Sequence, residues 1–156
     1  HEDVVRRVVE FGAPWHAEEN AWVGFAVEEM DTGHFTGLVF FRVVSYENQC
    51  MELGYRLHPD YWRRGYATEA ARELVEYLAS EIKVRKIVAY CVVENLGSAG
   101  VLEKLDFVRE GCLKQHSLLG GKWCDDEGAA KKRRSADGEA PGGAEKKVKG
   151  TEGANG

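Results

Sequence analysis

The first half of the chain shows a hydrophobic pattern with a period of two. In AWVGFAVEEM (21–30), large apolar residues at positions 23, 25 and 27 alternate with Trp, Gly and Ala, as in a strand with one buried face. LVFFRVV (38–44) and CMELGYRL (50–57) have similar patterns, and turn residues separate the first two segments. We therefore predict an antiparallel meander of three strands. The spacing of valines in residues 1–11 predicts a short helix.

The pattern changes to a helical period after His58-Pro59-Asp60. Apolar residues at 67, 70, 71, 74, 75 and 78 mark one face of a helix of about three turns. VRKIVAYCVV (84–93) is apolar on both faces from Ile87 and is predicted as a central strand covered on both sides. A strand, a helix and a strand in this order predict a right-handed crossover with parallel strands. A second short helix (98–105) and a further strand (107–119) follow.

The composition changes after Trp123. Residues 125–156 contain no aromatic residue, and Val148 is their only branched aliphatic residue. Such a segment buries too little apolar surface to offset its ordering entropy. We predict one folded domain at 1–124 and a disordered tail at 125–156. KKRR (131–134) could be a localisation or anion-binding patch, but it lies among balancing acidic residues, which favours a solvated tail.

The whole chain has 156 residues, which suggests one domain, and a net charge of −5. This charge makes nucleic acid an unlikely main partner, because phosphate binding favours a basic surface. No apolar run is long enough for a membrane span, and the N-terminus lacks the apolar centre of a secretory signal. The four cysteines form no CxxC pair, so we expect buried free thiols in a reducing cytoplasm.

The segment YWRRGYATEA (61–70) combines two cations and a glycine with the start of the predicted helix. Amides of a first helical turn have no helical acceptors, so they can donate to phosphate oxygens. Gly65 allows a close approach of the backbone, Arg63 and Arg64 can add charged contacts, and the Thr68 hydroxyl can cap the helix. Taken alone, the segment is equally consistent with a surface loop carrying solvated arginines. Neither the Walker A nor the dinucleotide spacing is present.

A second motif, VENLGSAGVLEKLDFVREG (93–111), follows the predicted central strand. Together with LGYRLHPDYWRRGYATEAARELVEYL (53–78), it resembles the GNAT superfamily of acyl-CoA-dependent N-acyltransferases. Within this superfamily the chain resembles the ribosomal-protein N-terminal acetyltransferase-like branch, over about residues 21–124. The resemblance implies an α+β fold, with a mixed, mostly antiparallel sheet splayed between its fourth and fifth family strands and helices on both faces. The family's N-terminal strand is expected to be missing here.

The resemblance also implies acetyl-CoA as cosubstrate, with no metal, and a primary amine as acceptor, either a protein N-terminus or a small amine. The amine would attack the thioester directly and form a tetrahedral intermediate. An alternative is a non-catalytic CoA-binding or interaction module on the same fold. In either case the protein is expected to be a monomer or a homodimer. The residues implied in cofactor binding are Leu57, Arg63, Arg64, Gly65, Tyr66, Ala67, Thr68, Asn95 and Ser98.

Two residues are candidates for proton transfer. Many relatives use a tyrosine on the second helix as the acid, but Leu102 occupies that position here, so Ser98 is the candidate acid. Ser98 could equally be only the cap of its helix. Glu52 is the candidate base, because it shares a strand face with Arg56 and could reach the acceptor groove; it could also simply pair with Arg56.

Two further positions differ from the family pattern. His116 lies close to where some relatives place a carboxylate, a place that Ser117 occupies here, and we expect His116 to be simply exposed. Asp106 replaces the glycine that usually follows the second helix. Aspartate tolerates the left-handed conformation, so this change should cost little.

Overall fold

The computed structural model describes residues 9–10 and 18–133 of the chain. The strands form one seven-stranded sheet in the order β1-β2-β3-β4-β5-β7-β6. A 3-10 turn at Pro59–Tyr61 precedes the first of two α-helices. The elements are β1 Val9–Glu10, β2 Trp22–Glu28, β3 Phe35–Ser45, β4 Cys50–Leu57, α1 Tyr66–Ser80, β5 Lys86–Val92, α2 Leu96–Lys104, β6 Val108–Leu119 and β7 Lys122–Lys132.

The predicted meander is confirmed. β2 pairs antiparallel with β3, and β3 pairs antiparallel with β4. The helix predicted for residues 1–11 is wrong at Val9 and Glu10, which form a short strand antiparallel to β2; the rest of that prediction lies outside the described residues. These two residues supply an N-terminal edge strand in place of the one expected to be missing.

The sheet splays between β4 and β5. Their parallel pairing covers only Cys50–Glu52 against Lys86–Val88. Beyond this point β4 continues to Leu57 and β5 to Val92, with no pairing between them. The two diverging edges therefore present unpaired backbone groups to a gap that opens toward the N-terminus of α1. This confirms the predicted splay.

One face of the sheet forms the core. Alternate residues of the central strands are buried there, including Leu53, Ala89 and Cys91, and one side of α1 packs against them. The α1 residues involved are Tyr66, Ala70, Ala71, Leu74, Val75 and Leu78. Five of these six were predicted from the helical period. The longer of the two described helices has 15 residues, and neither is both long and apolar enough to cross a membrane.

Both described helices lie on the core face. β4, β5 and β6 run parallel and follow one another in the same direction across the sheet. Right-handed crossovers therefore place α1 and α2 on the same side. The opposite face, called the open face below, carries Tyr90, which is 42% exposed. The prediction that β5 is covered on both sides is wrong, and helices are found on one face only within the described residues.

Strand β7 corrects the predicted domain boundary at residue 124. It continues through Lys132 and lies between β5 and β6, pairing with β5 from Val92 opposite Asp126 to Lys86 opposite Lys132. Residues 125–132 are therefore a central strand, not part of a disordered tail. Likewise, Lys131 of KKRR is no solvated tail residue, because its Nζ donates to the Leu105 carbonyl at 2.8 Å. Residues 134–156 lie outside the described range.

Candidate active site

The loop between β4 and α1 ends in an uncapped helix N-terminus. Gly65 is the N-cap and has the left-handed φ of 87°, a conformation that glycine adopts without strain. Gly65 has no side chain to accept from the first turn, and within the described residues no acceptor is found for the amides of 64–68. These donors lie at the positive end of a 15-residue helix dipole, at the mouth of the splay. Such a site can bind an anion.

Side-chain contacts fix the shape of this loop. The Trp62 indole Nε1 donates to the Leu57 carbonyl at 2.9 Å, which folds the loop back onto the end of β4. The Arg64 guanidinium lies over the rings of Tyr61 and Tyr66, at 5.5 and 5.2 Å from their centroids. It is also 3.7 Å from Glu29, although its side chain remains 52% exposed. Arg64 is thus held beside the helix N-terminus and is still accessible to a ligand.

The start of α2 lies near the other side of the splay. Asn95 is the N-cap of α2, and its Oδ1 accepts from the Ser98 amide at 3.0 Å. The interpretation of Ser98 as merely the cap is therefore wrong. Instead, the Ser98 hydroxyl lies 2.8 Å from the phenolic oxygen of Tyr55, and this oxygen is also 3.1 Å from the Ser98 carbonyl. Leu102, at the position of the family's tyrosine, is buried in the core.

Tyr55 is a candidate residue that the sequence interpretation missed. It lies on the part of β4 that has separated from β5, with its side chain toward the core face and α2. Burial raises the pKa of Tyr55 to about 12, and the hydrogen bond with Ser98 opposes this effect. Its phenol therefore stays protonated over the physiological range. The sequence signal that could have found it was the strand position of Tyr55. It lies two positions after the buried Leu53 and therefore on the same face of β4.

Glu52 lies at the apex of the splay, opposite Val88 in the last paired position of β4 and β5. Its side chain is 12% exposed, and its Oε2 lies 2.7 Å from the Nε and 2.6 Å from a terminal nitrogen of Arg42. Arg42 is the cross-strand neighbour of Glu52 on β3. The alternative pairing with Arg56 is therefore wrong: the partner is Arg42.

A second polar cluster lies on β6 and β7. His116 Nδ1 is 2.9 Å from Asp126 Oδ2, and the Ser117 hydroxyl donates to the same oxygen at 2.6 Å. The His116 ring centroid lies 6.1 Å from that of Tyr90 on β5. The expectation that His116 is simply exposed is therefore wrong. The sequence interpretation also missed Asp126, because it placed this residue in a disordered tail.

Together, the splay between two parallel strands and the open helix N-terminus at its mouth define an acyl-CoA N-acyltransferase fold. A family model described as "Acetyltransferase (GNAT) domain" matches residues 1–108. The chain belongs to this family. The matched range includes the first sequence motif, the second motif as far as residue 108, the splay and α2.

Known proteins similar to the chain include the uncharacterized N-acetyltransferase YoaA of Bacillus subtilis, 29% identical over 104 residues, which cover 67% of the chain and 59% of that protein. The ribosomal-protein-serine acetyltransferase of Escherichia coli is 30% identical over 89 residues, or 57% of the chain and 50% of that protein. A crystal structure of a GNAT-family acetyltransferase from Bacillus anthracis superposes with a TM-score of 0.65 at 32% identity, covering 70% of the chain and 65% of that structure. The chain thus spans less than two thirds of the length of each of these proteins.

Proposed function

We propose that the protein transfers an acetyl group from acetyl-CoA to a primary amine. The observation that carries this proposal is the position of the unsatisfied amides of residues 64–68 at the mouth of the β4–β5 splay. The amides suit a pyrophosphate, and the two strand edges suit an extended amide-containing arm. Membership of a family of acetyltransferase domains supports the same conclusion.

In this proposal the pyrophosphate accepts hydrogen bonds from the amides of Arg64, Gly65, Tyr66, Ala67 and Thr68. Arg63 and Arg64 contribute charge at the same place. The pantetheine arm extends from the mouth, near Leu57, into the splay. The thioester then lies within reach of the start of α2, where Asn95 holds Ser98.

The chemistry follows from these positions. The neutral amine attacks the thioester carbonyl carbon, and backbone amides of the splay stabilise the resulting oxyanion. Ser98 donates the proton that the departing thiolate requires, while Tyr55 orients the Ser98 hydroxyl. Burial raises the pKa of the Cys91 thiol, which lies on the core face of the splay. This thiol is therefore a poor nucleophile, which favours direct attack over an acetyl-cysteine intermediate.

Glu52 contributes the negative charge near the apex of the splay in this proposal. Its Oε2 forms an ion pair with Arg42, and proton uptake by Glu52 would weaken that pair. We therefore assign Glu52 to attraction of the cationic acceptor rather than to removal of its proton. The acceptor is a protein N-terminus or a small amine. One relative is named for a protein acceptor, a ribosomal-protein-serine acetyltransferase, and another for a small amine, a spermidine N(1)-acetyltransferase.

Two measurements on the full chain test the proposal. Calorimetric titration with coenzyme A should show saturable binding at one site. Release of free thiol from acetyl-CoA should then depend on an added amine, measured with a panel that includes an N-terminal peptide, spermidine and a peptide whose only amine is a lysine. Binding without turnover on any amine would favour the non-catalytic module, and absence of binding would overturn the whole proposal.

A further inference from the structure

Asp126 is a buried carboxylate with only one of its oxygens satisfied. The residue is 4% exposed, and its Oδ2 lies within hydrogen-bond distance of both His116 and Ser117. Its Oδ1 is buried and has no hydrogen-bond partner among the described residues. Burying a carboxylate is costly unless charged or hydrogen-bonding groups compensate. His116 is the group beside Asp126 that can supply a positive charge by accepting a proton.

An irregularity in β6 brings His116 to this carboxylate. Leu113 pairs with Asp126 and Ser117 pairs with Cys124, so four steps along β6 face two steps along β7. Gln115, within the extra length, has a left-handed φ of 48°. Asp125 stabilises the bulge by accepting from the Gln115 amide at 2.9 Å and from Lys114 Nζ at 2.7 Å. The bulge is thus fixed by its own contacts.

The imidazole of His116 reaches toward the splay. It starts from β6, which is separated from β5 by β7, yet its ring centroid is 6.1 Å from that of Tyr90. Tyr90 is on β5 beyond its last pairing with β4, so it borders the splay on the open face. The side chain of His116 is 52% exposed, whereas Asp126 beneath it is buried. An acceptor that approaches over Tyr90 would meet this imidazole.

We propose that His116 is the base that removes the proton of the acceptor amine, and that Asp126 is its positioning residue. This inference rests on the proposed function. The Nδ1–H of neutral His116 donates to Asp126 Oδ2, which leaves the Nε2 lone pair available to a substrate. Within the described residues, Nε2 has no hydrogen-bond partner. Asp126 fixes the tautomer and stabilises the imidazolium that forms on proton uptake.

The proton balance of the step is complete. The amine nitrogen forms a bond to the thioester carbon, and one of its protons passes to His116 Nε2. The tetrahedral intermediate then collapses, the carbon–sulfur bond breaks, and sulfur keeps the electron pair. The thiolate receives a proton from the Ser98 hydroxyl. The resulting Ser98 alkoxide takes a proton from water, and His116 releases the proton of the amine to water. The products are an amide and free coenzyme A.

Few ionisable groups from residues 18–133 surround His116. Asp126 faces it from β7 and Tyr90 faces it from β5, while Lys114 and Asp125 nearby are paired with each other. The cluster around the ring therefore consists of one carboxylate, one imidazole and one phenol.

The first test compares His116→Asn with Leu118→Asn, an exposed neighbour on the same strand. We expect His116→Asn to lower kcat/KM at pH 7 on the order of 10²–10⁴-fold, with an unchanged Kd for coenzyme A. Leu118→Asn should stay within about twofold of the wild type. Added imidazole should partly restore the rate of His116→Ala, because a free base can enter the vacated space. A purely structural role would show no such rescue.

The second test needs no turnover. Long-range proton–nitrogen NMR of the wild type should show the neutral His116 ring as the Nδ1–H tautomer, and Asp126→Asn should change the tautomer populations. An Nε2–H tautomer in the wild type would overturn the assignment, as would a His116→Asn rate equal to that of the wild type. The latter result would leave the proposed function standing, whereas a wild type without amine-dependent thiol release would overturn both.

Discussion

The phenolic oxygen of Tyr66 donates a hydrogen bond of 2.5 Å to Oε1 of Glu29. Tyr66 is the first residue of α1, and Glu29 follows the last residue of β2. The bond therefore joins the first turn of the helix to the connection between β2 and β3. It fixes the direction of the helix N-terminus that we assign to the pyrophosphate.

This bond predicts a loss of stability at both ends of the pH scale. It is the main cause of a lowered pKa at Glu29 and of a raised pKa at Tyr66. The Glu29 contribution is present above its ordinary pKa of 4.5 and is lost as the pH falls through the lowered value. The Tyr66 contribution is present below its ordinary pKa of 10.0 and is lost as the pH rises through the raised value.

Urea unfolding of Tyr66→Phe at pH 3, 7 and 11 would measure this effect. The difference from the wild type should be largest near pH 7 and smaller at either extreme. Tyr61→Phe is the control, because the Tyr61 ring contacts its neighbours and its hydroxyl bonds no described residue. An equal deficit of Tyr66→Phe at all three pH values would contradict the prediction.

Gly65→Ala should weaken coenzyme A binding. An added Cβ would meet no atom within 4 Å, so the penalty comes from the left-handed φ of 87° and amounts to about 1–2 kcal/mol. Relief of this strain would redirect the amides that follow, and titration calorimetry should show a higher Kd. Gly100→Ala is the matched control. Its Cβ also meets nothing within 4 Å, and an alanine within α2 should stabilise the protein by roughly 0.5–1 kcal/mol.

Ser98→Ala should lower the turnover rate with little effect on coenzyme A affinity, because it removes the hydroxyl that serves the departing thiolate. A loss of about 10²–10⁴-fold is typical of a positioned acid. Tyr55→Phe should give a smaller loss, since the phenol acts by orienting Ser98. Stopped-flow or steady-state thiol release would measure both variants. Turnover of Ser98→Ala at the wild-type rate would remove this residue from the mechanism.

Variants of the Arg42–Glu52 pair can distinguish a structural role of Glu52 from a catalytic one. Either single variant, Arg42→Gln or Glu52→Gln, should lower the free energy of unfolding, because it leaves the other part-buried group without its partner. The double variant should cost less than the sum of the two. If Glu52 only attracts the acceptor, Glu52→Gln should raise KM more than it lowers kcat. A collapse of kcat with unchanged KM would instead identify Glu52 as the base.

The elements with a strong period were predictable from the sequence. The bounds of β4 agree with the predicted segment, and the buried side of α1 follows from apolar residues three and four positions apart. Periodicity could not show whether an element covers the second face of β5, so the exposure of Tyr90 was missed. β7 was missed because its middle, residues 125–130, consists of three acidic residues, a glycine and two alanines, which have low strand propensity and resemble a polar, low-complexity segment.

The contacts within the candidate site were harder to predict from the sequence than the strands and helices. Tyr55 and Ser98 are 43 positions apart, and only the splay and the start of α2 bring their hydroxyls together. His116 and Asp126 are separated by 10 positions, but a regular continuation of the Ser117–Cys124 pairing would have placed Gln115 opposite Asp126 and His116 on the other face of the sheet. Such a two-residue irregularity has no sequence signal comparable to a glycine turn.

The position of β7 has a consequence for assembly of the fold. β5 and β6 are synthesised earlier, yet they do not pair with each other in the finished sheet, because the last described strand lies between them. Until that strand leaves the ribosome, both neighbours present bare edges that could pair with other chains. We therefore expect the nascent chain to gain protection from protease late and abruptly, when residues 122–132 become available.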